Sequence, residues 1–444
     1  MEISELPKGE SYFKWLRNLK RSSALEKLVL EYYSDEQEHI YTARAGGNTF
    51  TYCIGTHPQL LYPHFTNEGV IENGSPVTDV NEDAISQLAR QTAYNKGELE
   101  SYTERDQEEY IWNSGTYLVT GGKQDETSSS FTFEISESDF YTVASKNAEL
   151  GHELISAVLQ DHFVGSPQID ASSVLSEDLP LRDRYLSGIM DNILNAGEFP
   201  LGVGGTYLTL LKSEDEYYLV TGNRSSDVFV WPDMHSVIPS GFFQISDIST
   251  GNPIRNNLLY TYSKEFFDDS NPNLSTHSVR SLNQFIDSGN AEFHVTGSGI
   301  ELVYGNYQIT GLLMINYQDY VKFIQDHSKR SFEHDSINII KLSKLNKLLD
   351  TFADSNNLSP TSGFALFNGL HYLQNNTDIP VPFDVEIQQF QSEHPTRLSE
   401  SSTSTLSDSE SQQDDSTEDI EDTEDIEDTE DIEDTEDIKF SFGE

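Results

Sequence analysis

Hydrophobic positions between Thr206 and Tyr317 change period twice, and these changes set out the centre of the chain. Thr206 to Leu211 and Tyr217 to Thr221 carry strand-like aliphatic and aromatic runs, joined by a charged hairpin loop, Lys212 to Glu216. A polar turn, Asn223-Arg224-Ser225, precedes a short apolar strand ending near His235, and Pro239-Ser240-Gly241 makes another turn. About a dozen loop residues lead to Leu258, Leu259, Tyr262 and Phe266, whose spacing predicts a helix with Asn256 or Asn257 as its N-cap. That face packs inward, which leaves Thr261, Lys264, Glu265 and Asp268 to point elsewhere. Phe293 to Thr296, Ile300 to Tyr304 and Tyr307 to Tyr317 then predict three strands, the last apolar enough to be central and covered on both faces.

The flanking segments are mixed. Residues 1 to about 35 read as helical, with Ser23 and Glu26 placed as a capping box and Leu25, Leu28, Val29 and Tyr32 as one stripe. Tyr41 to Ile54 is strand-like around Gly46 and Gly47, Asp83 to Tyr94 is a helix, and Trp112 to Gly121 and Phe131 to Ile135 are strands. A helix from about Val143 to Leu159 follows, in which His152 and Glu153 are expected on the surface because no second histidine completes a zinc motif. Gly165 to Asp183 is a connector leading into a short helix, Tyr185 to Asn195; Tyr320 to Ile324 and Lys341 to Ala353 are helical, and Ser359-Pro360 opens a closing helix.

The expected organisation is an α+β N-terminal domain over 1–165, a connector over 166–198, an α/β domain over 199–375 and a disordered acidic tail over 388–444. The tail is rich in Ser, Thr, Asp and Glu, and Thr-Glu-Asp-Ile-Glu-Asp repeats three times from Thr417. It serves hydration or docks a protein partner.

Charge narrows the class. The formal net charge is -48; residues 401 to 444 hold 19 acids and one lysine, net -18, leaving -30 on the body. A body that acidic suits a halophilic, archaeal source, where molar salt screens self-repulsion. With 27 Lys and Arg, scattered, direct nucleic-acid binding is disfavoured, and the densest group, Lys14, Arg17, Lys20 and Arg21, is expected on the solvated face of the first helix. Cys53 is the only cysteine, which excludes disulfides within the chain and thiolate zinc clusters. No apolar run reaches membrane-spanning length, so a cytoplasmic location is expected.

The run His235, Pro239, Gly241, Phe243, Gln244 before a helix resembles a divergent group of Nudix-like proteins. Gly115-Thr116-Tyr117, Phe131-Thr132-Phe133 and Glu149-Leu150-Gly151-His152-Glu153-Leu154 extend the resemblance over roughly residues 110 to 375. It implies an α/β/α sandwich with a mixed sheet. Active Nudix enzymes carry Arg-Glu-x-x-Glu-Glu on the helix to hold magnesium against a diphosphate. Aligned on the apolar face, those positions are Tyr260, Thr261, Lys264 and Glu265, and only Glu265 survives; counted from Gly241, Asp247 and Arg255 fit but Asn256, Leu259 and Tyr260 replace the carboxylates. A lysine at a metal-ligand position opposes a divalent cation. The resemblance implies ligand contacts at Arg224, His235, Gly241, Gln244 and Asp247, with Glu265 and Asp268 as the catalytic and metal-binding remnant.

Three functions stay open. One is a sensor or regulator that binds a nucleotide or other diphosphate-containing metabolite without efficient hydrolysis and without a cofactor. The second is a magnesium-dependent phosphohydrolase with relocated carboxylates, drawing on Asp247, Glu265, Asp268 and Asp269. The third is a non-catalytic scaffold. Gly202 to Gly205 precedes a strand, so it is not a phosphate-binding loop.

Overall fold

The computed structural model describes residues 8–21, 24–103, 105, 107–125, 130–162, 179–195, 199–214, 216–225, 228, 231–245, 252–267, 272–273, 275–318, 334–355 and 357–390. Thirteen strands among them are β1 (Ile40–Ala45), β2 (Asn48–Gly55), β3 (Val70–Glu72), β4 (Gly115–Asp125), β5 (Ser130–Asp139), β6 (Leu201–Lys212), β7 (Tyr217–Arg224), β8 (His235–Val237), β9 (Ser240–Phe242), β10 (Ala291–Glu301), β11 (Tyr307–Asn316), β12 (His334–Lys341) and β13 (Val385–Gln389). The helices are α1 (Glu10–Arg21), α2 (Ala24–Tyr32), α3 (Glu82–Asn95), α4 (Gln107–Tyr110), α5 (Phe140–His162), α6 (Pro180–Tyr185), α7 (Ile189–Leu194), α8 (Pro253–Phe267), α9 (His277–Asp287), α10 (Leu345–Ser355) and α11 (Pro360–Asn376).

The fold is mixed α/β. Its main path of hydrogen-bonded strands runs β13-β1-β2-β10-β11-β6-β4-β5-β3, with β7, β8, β9 and β12 joined beside β6. β6 and β11 pair in parallel from Val203↔Tyr307 to Lys212↔Asn316, and the other neighbours of β6 are antiparallel. Strands of the segment 1–165 therefore bond directly to strands of 199–375, through β2–β10 and β4–β6.

Alternation on the central strands sorts side chains into two cores. Tyr207 and Leu211 of β6 and Ile309 and Leu313 of β11 join Leu258 and Tyr262 of α8 and Leu282 of α9. Leu208 and Leu210 of β6 and Leu312 of β11 face the other way, onto Leu349 of α10 and Phe364, Phe367 and Leu370 of α11. Helices thus cover both faces, and each such fully buried aromatic or aliphatic side chain contributes about 1.5–3 kcal/mol. Gly46 (φ +57°) and Gly47 (φ +87°) turn β1 into β2, a two-residue connection that needs positive φ at both positions.

Several expectations change. The strand expected over 300–304 is absent: β10 runs unbroken to Glu301 and Leu302 begins a turn. Gly299 lies against β2, where an added Cβ would come within 2.5 Å of Ile54 Cγ2, so this glycine serves close strand approach. The single short helix expected over 185–195 is two, α6 and α7, separated at Leu186 to Gly188. Gly202 to Gly205 lie within β6. The helix expected over 320–324, Ser23 of the capping box and the repeat tail lie outside the described residues.

Charged groups expected at the surface are buried. Lys20 is 5% exposed and donates to Gln91 Oε1 at 3.1 Å; Glu26, expected as the acid of a capping box, is buried too. His152 and Glu153, expected on a solvated helix face, are both buried. Glu153 accepts from the backbone N–H groups of Leu181 and Arg182, so it caps α6 from another element, and its Oε2 lies 2.7 Å from Arg182 Nη1. The Arg182 guanidinium is fully buried and also donates to the carbonyls of Leu150 (3.0 Å), Leu302 (3.0 Å) and Val303 (2.6 Å). Removing one partner strands a buried charge, which costs more than a surface pair ever returns. Arg182→Ala is expected to lower stability by about 3–5 kcal/mol in chemical unfolding, and Glu153→Gln, which keeps an acceptor for α6, by less; an unchanged midpoint for Arg182→Ala would mean that water reaches this network.

Candidate functional site

Helix α8 is buried along nearly its whole circumference, unlike an amphipathic surface helix. Its N-cap is Asn252, whose Oδ1 accepts from Arg255 N at 3.0 Å, followed by Pro253 at the first helical position. Asn256 and Asn257, the expected caps, are one turn further in. Asn257 instead fixes the helix to the sheet: Tyr207 Oη donates to its Oδ1 at 2.7 Å, and its Nδ2 donates to the Phe242 carbonyl at 3.2 Å. Gly241 lies so close to the next turn that an added Cβ would come within 2.9 Å of Thr261 Cγ2.

Between α8 and the strands lies a cavity of about 440 Å³. Arg224, Gly241, Gln244 and Glu265, all singled out from the sequence, line it together with Thr261 and Lys264. His235 does not line it: its ring lies 5.1 Å from that of Phe352, and burial holds its pKa below the usual histidine value. Asp247 and Asp268 lie outside the described residues.

Glu265 is 1% exposed, with Oε1 3.4 Å from Nε2 of His334, itself 3% exposed. His334 opens β12 and sits opposite Arg224 in the β7–β12 register. Gly222 gives it room, since an added Cβ there would come within 2.8 Å of His334 Nδ1. Among the described residues, no group of three or more His, Cys, Asp or Glu is placed to hold a metal ion.

The rest of the wall comes from distant segments. Lys96, Tyr110, Trp112, Thr116 and Phe140 contribute from the first third of the chain, Glu301 and Gln308 from β10 and β11, and Ser359, Thr361 and Ser362 from the start of α11. Trp112 is 55% exposed, although its side chain is large and apolar. Thr116 Oγ1 donates to the Phe243 carbonyl at 2.6 Å, which ties β4 to the loop that carries Gln244. None of these wall residues follows from local pattern; an indole in the polar stretch before β4 is the one signal the sequence offered.

Glu301 couples the wall to the interior. It accepts from Val303 N at 2.9 Å and Tyr304 N at 2.8 Å, and burial pushes its pKa up to about 7. Burial likewise pushes Glu26 up to about 8, with the nearby Glu301 charge adding to the effect, and pushes Lys20 down to about 7.

A scan against protein-family models and a search of curated proteins return no match. Among solved structures, a binary complex of the C. elegans Ap4A hydrolase aligns over 37% of this chain and 98% of its own at 12% identity, TM-score 0.21. A NUDIX hydrolase from Alicyclobacillus acidocaldarius aligns over 40% of this chain and 98% of its own at 9% identity, TM-score 0.26. Likeness at these scores carries no weight for mechanism or ligand.

The raised pKa of Glu301 makes stability fall with pH. The folded state favours the protonated acid, so this contribution is full below about 4.5 and is lost as pH rises through about 7. Lys20 acts in the opposite sense only above about 7. Glu301→Gln is therefore expected to gain on the wild type between pH 4.5 and 7, by about 3 kcal/mol at the upper end, in unfolding titrations across that range. A pH-independent difference would place water beside the carboxylate.

Proposed function

We propose that this chain is a Nudix-like binding protein, a sensor or regulator that holds a nucleotide or another diphosphate-containing metabolite in the cavity beside α8 without efficiently hydrolysing it. The observation that carries the reading is the company kept by Glu265. It is the one carboxylate remaining on the helix face where active Nudix enzymes place several, it is buried against His334, and its neighbours on the wall are Lys264 and Arg224. The whole wall carries Lys96, Arg224 and Lys264 against Glu109, Glu265 and Glu301; where Lys264 and Arg224 accompany Glu265 they favour an anion over a divalent cation, and a guanidinium also matches phosphate geometry. The cavity is of the size and mixed polarity of small-molecule sites.

A binding protein needs a way to pass on occupancy. Here the wall joins residues of the first 165 positions to those of 199–375, so a ligand with different affinity for two arrangements of these segments shifts their balance. Hydrolysis would need carboxylates supplied from Asp247, Asp268 or Asp269. A docking role for the acidic tail would be additional to the cavity.

The test is a panel of nucleoside diphosphates and related diphosphates, with magnesium or manganese in molar KCl, followed for both product release and ligand-induced shift of the unfolding temperature. Binding without turnover is expected for the wild type and for Glu265→Gln. Turnover that disappears in Glu265→Gln would overturn the proposal in favour of a rearranged hydrolase. Neither binding nor turnover would leave the scaffold.

A further inference from the structure

We infer that Lys20 is a modification site: its amine takes up carbon dioxide as a carbamate in a small cavity between α1, α3 and α5, where Tyr304 and Gln87 hold the carbamate oxygens. This site is independent of the ligand proposed for the cavity beside α8.

Tyr12, Leu16 and Lys20 recur every four residues, so they share one face of α1, and all three are buried. They line a cavity of about 50 Å³ together with Gln87 and Gln91 of α3, His152 of α5 and Tyr304. No residue lines both this cavity and the one beside α8. At about 10–15 Å³ of such space for each water-sized occupant, it has room for about three or four heavy atoms. A nucleotide is excluded, and carbon dioxide fits.

The amine is suited to attack carbon. Burial pushes the Lys20 pKa down to about 7, so near neutral pH much of it carries no charge. Its Nζ donates to Gln91 Oε1 at 3.1 Å. A donated bond uses an N–H, and a neutral amine keeps its lone pair. The surrounding groups leave this state in place. On α1, Arg17 is turned to Asp233 at 2.9 Å. His152 is held by burial at about 4 and is neutral, while burial raises Tyr12 and Tyr304, which keep their protons. Glu301 and Glu26, whose charges act on Tyr304, are pushed by burial to about 7 and about 8.

The walls also call for an acceptor. Tyr304 Oη and Gln87 Nε2 are buried without a hydrogen-bond partner. Tyr304 is 4% exposed, and Gly151 makes room for its ring, since an added Cβ there would come within 2.7 Å of Cε1. A hydroxyl and an amide NH₂ both donate, and donors left unsatisfied in the interior are costly. Carbon dioxide meets both requirements. The Nζ lone pair forms a bond to carbon, one C=O electron pair moves onto oxygen, and the nitrogen releases a proton to solvent. No electron is transferred and no group leaves. The product is a carboxylate on nitrogen, with oxygens that accept from Tyr304 and Gln87. Exposed lysines, with pKa values of about 10.4, stay protonated under the same conditions and do not react.

The test is carbon-13 NMR of the full chain equilibrated with labelled carbon dioxide near neutral pH, beside Lys20→Met and Tyr304→Phe. The wild type is also trapped with triethyloxonium and digested for mass spectrometry, which locates the carbamate without any variant. Lys20→Met exchanges a buried amine for an apolar chain of similar length, so it is expected to fold. A carbamate resonance is expected in the wild type, with the trapped ethyl ester on the peptide bearing Lys20, and no resonance in Lys20→Met. Tyr304→Phe is expected to need about fivefold more carbon dioxide for the same signal. A resonance that survives in Lys20→Met, an ester found only on other residues, or Tyr304→Phe titrating as the wild type does would overturn the proposal. So would the absence of any resonance, which would leave the cavity to water.

Discussion

The pairing of β6 is the constraint on which the rest depends. Eleven of its twelve residues are buried, so its N–H and C=O groups have no water to turn to and must find other strands. They do so with β4 near Leu201, with β9 over Gly204 to Thr206, with β11 over almost the full length and with β7 beyond Thr209. This forking joins the first third of the chain to the middle. It also puts β4, the Gly241 turn and the start of β11 around one opening, and α8 closes over them because Gly205 has no Cβ to obstruct Tyr207 and Asn257.

Much of this fold was legible in the sequence. Alternation marked β5, aliphatic and aromatic runs marked β6 and β7, the apolar run Gly311 to Tyr317 marked a central strand, and Ser359-Pro360 marked the start of α11. Failures occurred where the deciding partner was far away. Glu153 reads as a surface residue until Arg182 is placed against it, and Lys20 until Gln91 is. The start of α8 was missed for another reason: its Leu and Tyr positions mark where the helix is apolar, while Asn252-Pro253 marks where it starts. The break expected between Thr296 and Ile300 falls on Gly297 and Gly299, which one side of β10 needs small.

The candidate site divides along the same line. Arg224, Gly241, Gln244 and Glu265 come from a single stretch whose motif could be recognised, and they share one cavity. Lys96 and Thr361 are invisible to any local rule and Trp112 shows only as an indole in a polar stretch, because their relation to that stretch exists only through β4, β6 and the His235 bonds to α11. The histidine partner of Glu265 lies 69 residues further on, at the start of a strand whose pattern announces packing and no chemistry.

A wall assembled from Thr92 through Ser362 has one more consequence. No partly folded chain can offer it, so an occupant recognises only the completed molecule and withdraws from every precursor. By mass action its binding then stabilises the folded state, by an amount that grows with the logarithm of its concentration above Kd. Abundance of the ligand would be read out as persistence of the protein: the saturated chain outlasts the empty one even where their shapes are the same.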